Sequence, residues 1–257
     1  MKAAKLLREK VDRGDVVTGL LAMNHVWLEL IEISKNAGMD YLIIDMEHGS
    51  PNVDTVVEAC ALGRMIDFPV LIRPVDHEMS TIRKAIDMGA CGFLLPTVQS
   101  ASDLDKIRDA IWMPPRGQRR PGGRGNAWTD AITLAGWQRN VEDHFIVMPQ
   151  IETQTGLDNV AEIAAHEITT YMAHGPYDLS CDLGVAGEMA GPEVSAANKQ
   201  IQAAAHAVGK KMWVIGDGAA LRQQGFTFIC NGAPMGILQA GMAKMVADTQ
   251  AAGGNGE

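Results

Sequence analysis

Residues 37–49 read Ala37-Gly38-Met39-Asp40-Tyr41-Leu42-Ile43-Ile44-Asp45-Met46-Glu47-His48-Gly49. The run Tyr41–Asp45 is apolar on consecutive positions until its last residue, the pattern of a strand covered on both faces. Gly38 stands where the preceding helical stretch, Trp27–Asn36, needs a C-cap. The apolar run spills into Asp45, Glu47 and His48, so ionisable groups collect where the strand runs out. The same unit recurs outward from here. Strand-like runs fall at Val16–Met23, Pro69–Ile72, Gly92–Leu95, Phe145–Ile151, Thr169–Ala173, Met212–Ile215 and Phe226–Cys230. Helical spacing marks Asp54–Met65, Thr81–Met88, Asp103–Trp112, Leu157–Ala165, Glu193–Val208 and Gly236–Ala251, with Gly89 and Gly209 as further C-cap positions. Eight strands alternating with helices over 257 residues predict an α/β fold, a closed parallel (β/α)8 TIM barrel in one domain spanning 1–257, with a frayed tail over 252–257. An open doubly wound sheet built for a nucleotide would carry a Gly-rich first turn, whereas the first strand here runs into Met23-Asn24-His25. One stretch breaks the rhythm: Met113–Asn126, dense in Pro, Gly and Arg, reads as a loop rather than a helix.

Composition narrows the function classes. The chain has 22 basic against 31 acidic residues, a formal charge of −9, and so no general attraction for nucleic acid or an anionic membrane. Its opening segment is charged throughout and no window approaches eighteen apolar residues, so neither a signal peptide nor a membrane span is expected. Cys60, Cys91, Cys181 and Cys230 form no CxxC pair and read as reduced thiols of a cytoplasmic protein.

In a barrel of this kind chemistry sits at the C-terminal ends of the strands. Four such ends carry charged groups here: Asp45 to His48, Arg73, Gln150 to Glu152, and Gly175 to Asp178. His48 and Arg73 are 25 residues apart and Glu152 and Asp178 are 26 apart, about one β/α unit, which places each pair on adjacent strand ends. Glu152 and Asp178 offer two carboxylates to a divalent cation, leaving positions for substrate and water; either alone would serve equally as partner to an arginine at the rim. Arg73 cannot deprotonate and suits an oxyanion or enolate, or else pairs with Asp45 or Glu47. His48, with acids beside it, suits general base work. His77, His144, His166 and His206 read as structural, while His25 and His174 stay open. No lysine ends a strand, which argues against imine chemistry. Cys181 lies near Asp178 without a placed base and reads as packing.

Across about Gly19 to Gly236 the chain resembles the HpcH/HpaI aldolase family of metal-dependent (class II) pyruvate aldolases. The likeness rests on Ala37 to Tyr41 leading into Asp45 to Gly49, Ile72-Arg73-Pro74, Asp87 to Gly92, Pro114-Pro115, Gln150-Ile151-Glu152 and Gly175-Pro176-Tyr177-Asp178-Leu179-Ser180. The resemblance implies a barrel of the phosphoenolpyruvate/pyruvate superfamily, assembled as a homohexamer (a trimer of dimers) that exchanges its C-terminal helix. It implies Glu152 and Asp178 as ligands of a divalent cation (Mg²⁺, Mn²⁺ or Co²⁺), Arg73 as the enolate-stabilising arginine and His48 as the base. It also implies Asp45 and Asp87 as acids that support the histidine, with Asp87 acting across a subunit boundary. Gln150 is expected beside pyruvate, and the backbone amides of Gly175-Pro176 at its carboxylate. After Pro114-Pro115 this chain departs from the family pattern. Arg119 is the nearest counterpart of a family loop residue at the acceptor end, and Arg116, Arg119, Arg120 and Arg124 either meet an acidic aldehyde or a phosphate or bind a neighbouring subunit.

The expected activity is reversible aldol cleavage of a 4-hydroxy-2-oxo acid to pyruvate and an aldehyde. Two alternatives remain at this point: another metal-enolate lyase of the superfamily, acting on an acyl-CoA or as an oxo-acid decarboxylase or hydrolase, and a non-catalytic barrel that binds a ligand.

Overall fold

The structure, a computed structural model, describes residues 1–23, 25–130 and 132–252. The expected frayed tail therefore lies outside the described residues, apart from Ala252. In chain order the elements are α1 (Lys2–Arg13), β1 (Val17–Ala22), α2 (Leu28–Asn36), β2 (Tyr41–Asp45), α3 (Val53–Met65), β3 (Val70–Arg73), α4 (Met79–Asp87), β4 (Gly92–Leu95) and α5 (Ala101–Ile111). After a 3₁₀ turn at Gly123–Trp128 come α6 (Leu134–Trp137), β5 (Ile146–Ile151), α7 (Gln154–Asp158), α8 (Val160–Ala165), β6 (Met172–His174), α9 (Pro176–Asp182) and α10 (Pro192–Ala207). β7 (Met212–Ile215), α11 (Gly218–Gln223), β8 (Phe228–Cys230) and α12 (Pro234–Ala252) complete the chain.

All eight strands pair in parallel with their sequence neighbours, and β1 closes the barrel on both β2 and β8, with Gly19 opposite Tyr41 on one side and Cys230 on the other. Every residue of β2, β3, β4 and β5 is buried, which is why these strands read as unbroken apolar runs. Aromatic side chains fill one end of the barrel: Tyr41 and Tyr171 each meet Phe228 edge-on. The Tyr41 hydroxyl donates to the Ile229 carbonyl at 2.9 Å and accepts from Trp213 Nε1 at 2.8 Å, so the indole nitrogen of Trp213 points into the barrel.

Gly38, Gly89 and Gly209 follow the C-caps of α2, α4 and α10 with φ of 88°, 102° and 71°, in the left-handed region expected there. Elsewhere the boundaries move for identifiable reasons. The helix expected over Leu157–Ala165 is two helices broken at Asn159, whose side-chain amide donates to the Gln99 carbonyl at 2.8 Å. The strand expected over Thr169–Ala173 begins only at Met172, because the Thr169 and Thr170 hydroxyls donate to the carbonyls of Ile163 and Phe145. The Arg-rich stretch is irregular up to Gly122 and closes in the 3₁₀ turn, which reading it wholly as a loop did not include.

Two features stand out from the core. Helix α12 buries none of its residues, although Met235, Ile237, Leu238, Met242, Met245 and Val246 are large and apolar. Among the described residues no helix is long and apolar enough to cross a membrane. The second feature is His174, at the end of β6 and left open by the sequence. Its Nδ1 lies 2.7 Å from Asn198 Oδ1 and its Nε2 accepts the Ile215 amide at 3.2 Å, which defines a neutral ring held in the barrel wall. Burial pulls its pKa down to about 4, against a smaller upward pull from Asn198.

The unfolded state therefore takes up a proton at His174 before the folded state does. The stabilisation is complete above about pH 6.5 and is lost as pH falls toward 4, by an amount on the order of 3 kcal/mol. Urea unfolding across that window should show the fall, and the difference between the wild type and His174→Gln should shrink as pH is lowered. A difference that stays constant with pH would contradict the assignment.

Candidate active site

The C-terminal ends of β2 and β3 are locked by one buried ion pair. Asp45 and Arg73 are opposite each other in the β2–β3 ladder. Arg73 Nε donates to Asp45 Oδ1 at 2.8 Å and Nη2 to Oδ2 at 2.6 Å, a bidentate pair in which Asp45 is fully buried. Asp45 Oδ1 also accepts the Glu47 amide at 3.0 Å and the His48 amide at 3.5 Å, so the same carboxylate shapes the turn carrying both side chains. Glu47 Oε2 lies 3.2 Å from Arg73 Nε and 3.7 Å from His48 Nε2. Burial pulls the Arg73 pKa down, but its bond to Asp45 and the charges of Asp45 and Glu47 more than offset that and hold it above its ordinary value.

Across the mouth, Glu152 follows β5 and is 3% exposed. Its Oε1 accepts both the backbone amide of Thr97 at 2.6 Å and the Thr97 hydroxyl at 2.8 Å, whereas its buried Oε2 has no partner among the described residues. Burial pushes the Glu152 pKa up to about 7; the Thr97 bonds oppose this, and the nearby charges of Glu47 and Asp178 add to it. Glu47 is raised for the same first reason, burial, with Arg73 and His48 pulling the other way. Asp178 stands in the first turn of α9, and Glu47, His48, Thr97, Glu152 and Asp178 line one cavity of about 400 Å³. Cys181 lines it too and is exposed, which corrects its reading as a packing residue. A neighbouring cavity of about 460 Å³ shares His48 and Asp178 and adds Arg73, Gln150, Gly175 and Pro176.

Gln150 is buried, with its Oε1 unpartnered among the described residues. Gly175 is required by close approach: a Cβ there would stand 2.2 Å from Glu152 Oε2 and 2.6 Å from Gln150 Nε2. The expected role of the Gly175-Pro176 amides needs correction. The Gly175 N–H already donates to the Ile151 carbonyl at 3.0 Å, and proline has no N–H. The next amides, of Tyr177 and Asp178, are in the first turn of α9 and have no intrahelical acceptor.

Asp87 and Arg119 are not part of this constellation within the chain. Asp87 ends α4, which returns from the end of β3 to the start of β4, so it lies toward the N-terminal side of the barrel, where Arg119 Nη2 donates to it. Arg119 is 1% exposed and Arg116 bonds Glu142 at 2.9 Å over the face of Trp112, so neither stands at the acceptor end of the mouth. The Asp45 carboxylate does not touch the His48 ring, and the acid nearest that ring is Glu47. His77 faces Asp103 at 3.5 Å, as a structural histidine would.

Two participants were not singled out from the sequence. The sequence marks Glu47 only as a partner for Arg73, yet it lines one cavity with Glu152 and Asp178. Thr97 is neutral and carries no signal of its own in the sequence, although it follows Leu94-Leu95-Pro96 at the end of β4, a strand end like the others. Its φ of 51° is in the left-handed region, an uncommon conformation for a β-branched residue, and it is held there by both bonds to Glu152. Among the described residues no three His, Cys, Asp or Glu side chains are grouped closely enough to hold a metal by themselves, so any cation here would take its remaining ligands from substrate and water.

A family model described as HpcH/HpaI aldolase/citrate lyase matches residues 24–238. The chain is 31% identical over 235 residues to a 4-hydroxy-2-oxo-heptane-1,7-dioate aldolase of Salmonella heidelberg, covering 86% of this chain and 88% of that one. It is 30% identical over 214 residues to a hydroxypyruvate/pyruvate aldolase of Chromohalobacter salexigens, covering 81% and 84%. The crystal structure of an HpcH/HpaI aldolase from Desulfitobacterium hafniense superposes with a TM-score of 0.87 at 25% identity, covering 98% of this chain and 99% of that one.

The Thr97 contacts make a specific prediction. Thr97→Val keeps the backbone amide but removes the hydroxyl that steadies Glu152, so the affinity for any divalent cation held there, followed with Mn²⁺ by electron paramagnetic resonance, should fall about tenfold, while Thr97→Ser stays near wild type. Equal affinities in all three proteins would show that the hydroxyl plays no part.

Proposed function

Because the chain belongs to the HpcH/HpaI aldolase/citrate lyase family, we propose that it catalyses reversible, divalent-metal-dependent cleavage of a 4-hydroxy-2-oxo acid to pyruvate and an aldehyde. The observation that carries this reading is Glu152 Oε2: buried, without a partner, and in a cavity that Asp178 shares. An orphaned carboxylate oxygen beside further acids is costly to keep unless a cation takes it up. The donors are hard oxygens, which suits Mg²⁺, Mn²⁺ or Co²⁺, with Glu152 and Asp178 as the holding pair. When bound, the cation would supply Lewis acidity at the keto oxygen of the substrate.

The remaining roles fall to the protein's own groups. Asp45 occupies Nε and Nη2 of Arg73, leaving Nη1 for the substrate. A guanidinium fixed in this way stabilises the negative charge that builds up as the C3–C4 bond breaks, with no reorganisation at that moment. His48 takes the proton of the 4-hydroxyl as the aldehyde forms and returns one in the synthetic direction. Its half-exposed ring and its position shared by both cavities suit that exchange. The Gln150 amide positions the 2-oxo acid, and the free amides of Tyr177 and Asp178 take its carboxylate, the role expected of Gly175-Pro176.

The apolar, uncovered α12 supports exchange of this helix between protomers in a homo-oligomer, the expected hexamer, with Asp87 reaching a neighbour's His48 in that assembly. Removing residues 234–252 should lower the particle mass seen by sedimentation velocity while the circular dichroism of the barrel persists. A full-length protein that sediments as a monomer would refute the assembly.

The chemistry is tested without an aldehyde by following exchange of the pyruvate methyl protons in D₂O by NMR. Chelator should abolish exchange and Mn²⁺ restore it, and Arg73→Ala should slow it by about 10²-fold or more in the metal-loaded protein. Undiminished exchange in chelator would remove the metal assignment, and undiminished exchange in Arg73→Ala would remove the arginine's role.

A further inference from the structure

The sequence left open whether the Arg-rich stretch meets an acidic aldehyde. Arg116 is committed to Glu142 and Arg119 to Asp87, and Arg124 packs beside Gly89 away from the mouth. Among the described residues, Arg73 is the only arginine that lines the 460 Å³ cavity, and no lysine lines it. Arg73 is held at Nε and Nη2 by Asp45 and Glu47, and its remaining Nη1 is taken by the 2-oxo acid half in the reading above.

The barrel order sets where the rest of a substrate goes. The ionisable groups stand on the arc from β2 to β6, whereas the cavity continues toward the ends of β7 and β1. There its wall is Leu21, Met23, Tyr177, Met189, Trp213 and Ile215. Trp213 has its only polar side-chain atom turned inward on Tyr41, so it presents carbon to the cavity. Within one chain, an anionic tail placed along this wall would find Asp178 and, among the described residues, no uncommitted cation, an arrangement that disfavours a desolvated carboxylate.

We propose that the aldehyde half of the substrate is uncharged and carries an apolar tail, seated on Leu21, Met23, Met189 and Ile215, and that acidic aldehydes are poor partners. This rests on the aldolase reading above and specifies its substrate class. Discrimination arises in the way usual for apolar pockets: the correct tail displaces water from carbon, whereas the charged one loses its hydration without a partner.

The test uses the full-length, Mn²⁺-loaded enzyme in the synthetic direction, with pyruvate and either 4-methylpentanal or succinic semialdehyde. These acceptors are close in shape and differ in an isopropyl against a carboxylate end. The expected kcat/KM ratio favours 4-methylpentanal by about tenfold or more. Met189 is half exposed, so Met189→Arg adds a cation without opening the core, and it should shift the ratio toward the charged aldehyde by a similar factor. An equal or reversed preference in the wild type, turnover of neither aldehyde, or a ratio unmoved by Met189→Arg overturns the proposal. Pyruvate methyl-proton exchange on the same preparation separates the two failures. Absent exchange removes the aldolase reading itself, whereas exchange with a preference for the acid removes only the tail assignment.

Discussion

The buried pair between Asp45 and Arg73 is the constraint on which the mouth of the barrel depends. It ties the ends of two adjacent strands, and its acidic member also receives the backbone amides of the turn bearing Glu47 and His48. Removing either partner leaves a charge buried alone, a loss of several kcal/mol in comparable pairs. Such a pair does little for net stability compared with apolar residues of the same size. What it secures is direction: a guanidinium that cannot swing away, aimed where charge is expected to develop.

Opposite that cation the chain gathers like charges. Burial raises the proton affinity of Glu47 and pushes that of Glu152 up to about 7, and the charge of Asp178 adds to both. Left alone, this cluster opposes folding. Thr97 takes part of the load, in a backbone conformation that a threonine rarely adopts, by satisfying one oxygen of Glu152 and leaving the other bare. Strain and unsatisfied polarity thus fall at the same place, as they do where a site is held ready for a ligand. His174, one strand away, is the contrasting case: both of its nitrogens are matched, and it serves the wall of the barrel.

Much of this was legible from the chain alone. Strands β2, β4 and β7 have the limits read from their apolar runs, because residues covered on both faces leave an unbroken signal. The alternation of such runs with helices announces the closed barrel, and the rule that chemistry sits at strand ends picks out Asp45, Arg73, Gln150 and Glu152. Short helices such as α9 and α11, too brief for periodicity, were missed. The break at Asn159 depends on a bond to Gln99, sixty residues earlier, which no local pattern records.

By itself the sequence determined the order of the elements and the identity of the charged residues at the strand ends, since both depend on local spacing. Which atoms meet was decided only when the barrel closed. Closure sends Asp87 and Arg119 to the other end of the molecule, turns Glu47 rather than Asp45 toward the His48 ring, and commits the Gly175 amide to Ile151. It also brings a neutral threonine from the turn after β4 onto a carboxylate 55 residues away. Such contacts are set by the parallel register of neighbouring strands and by the path of each return helix, quantities that belong to the whole barrel and to no single segment.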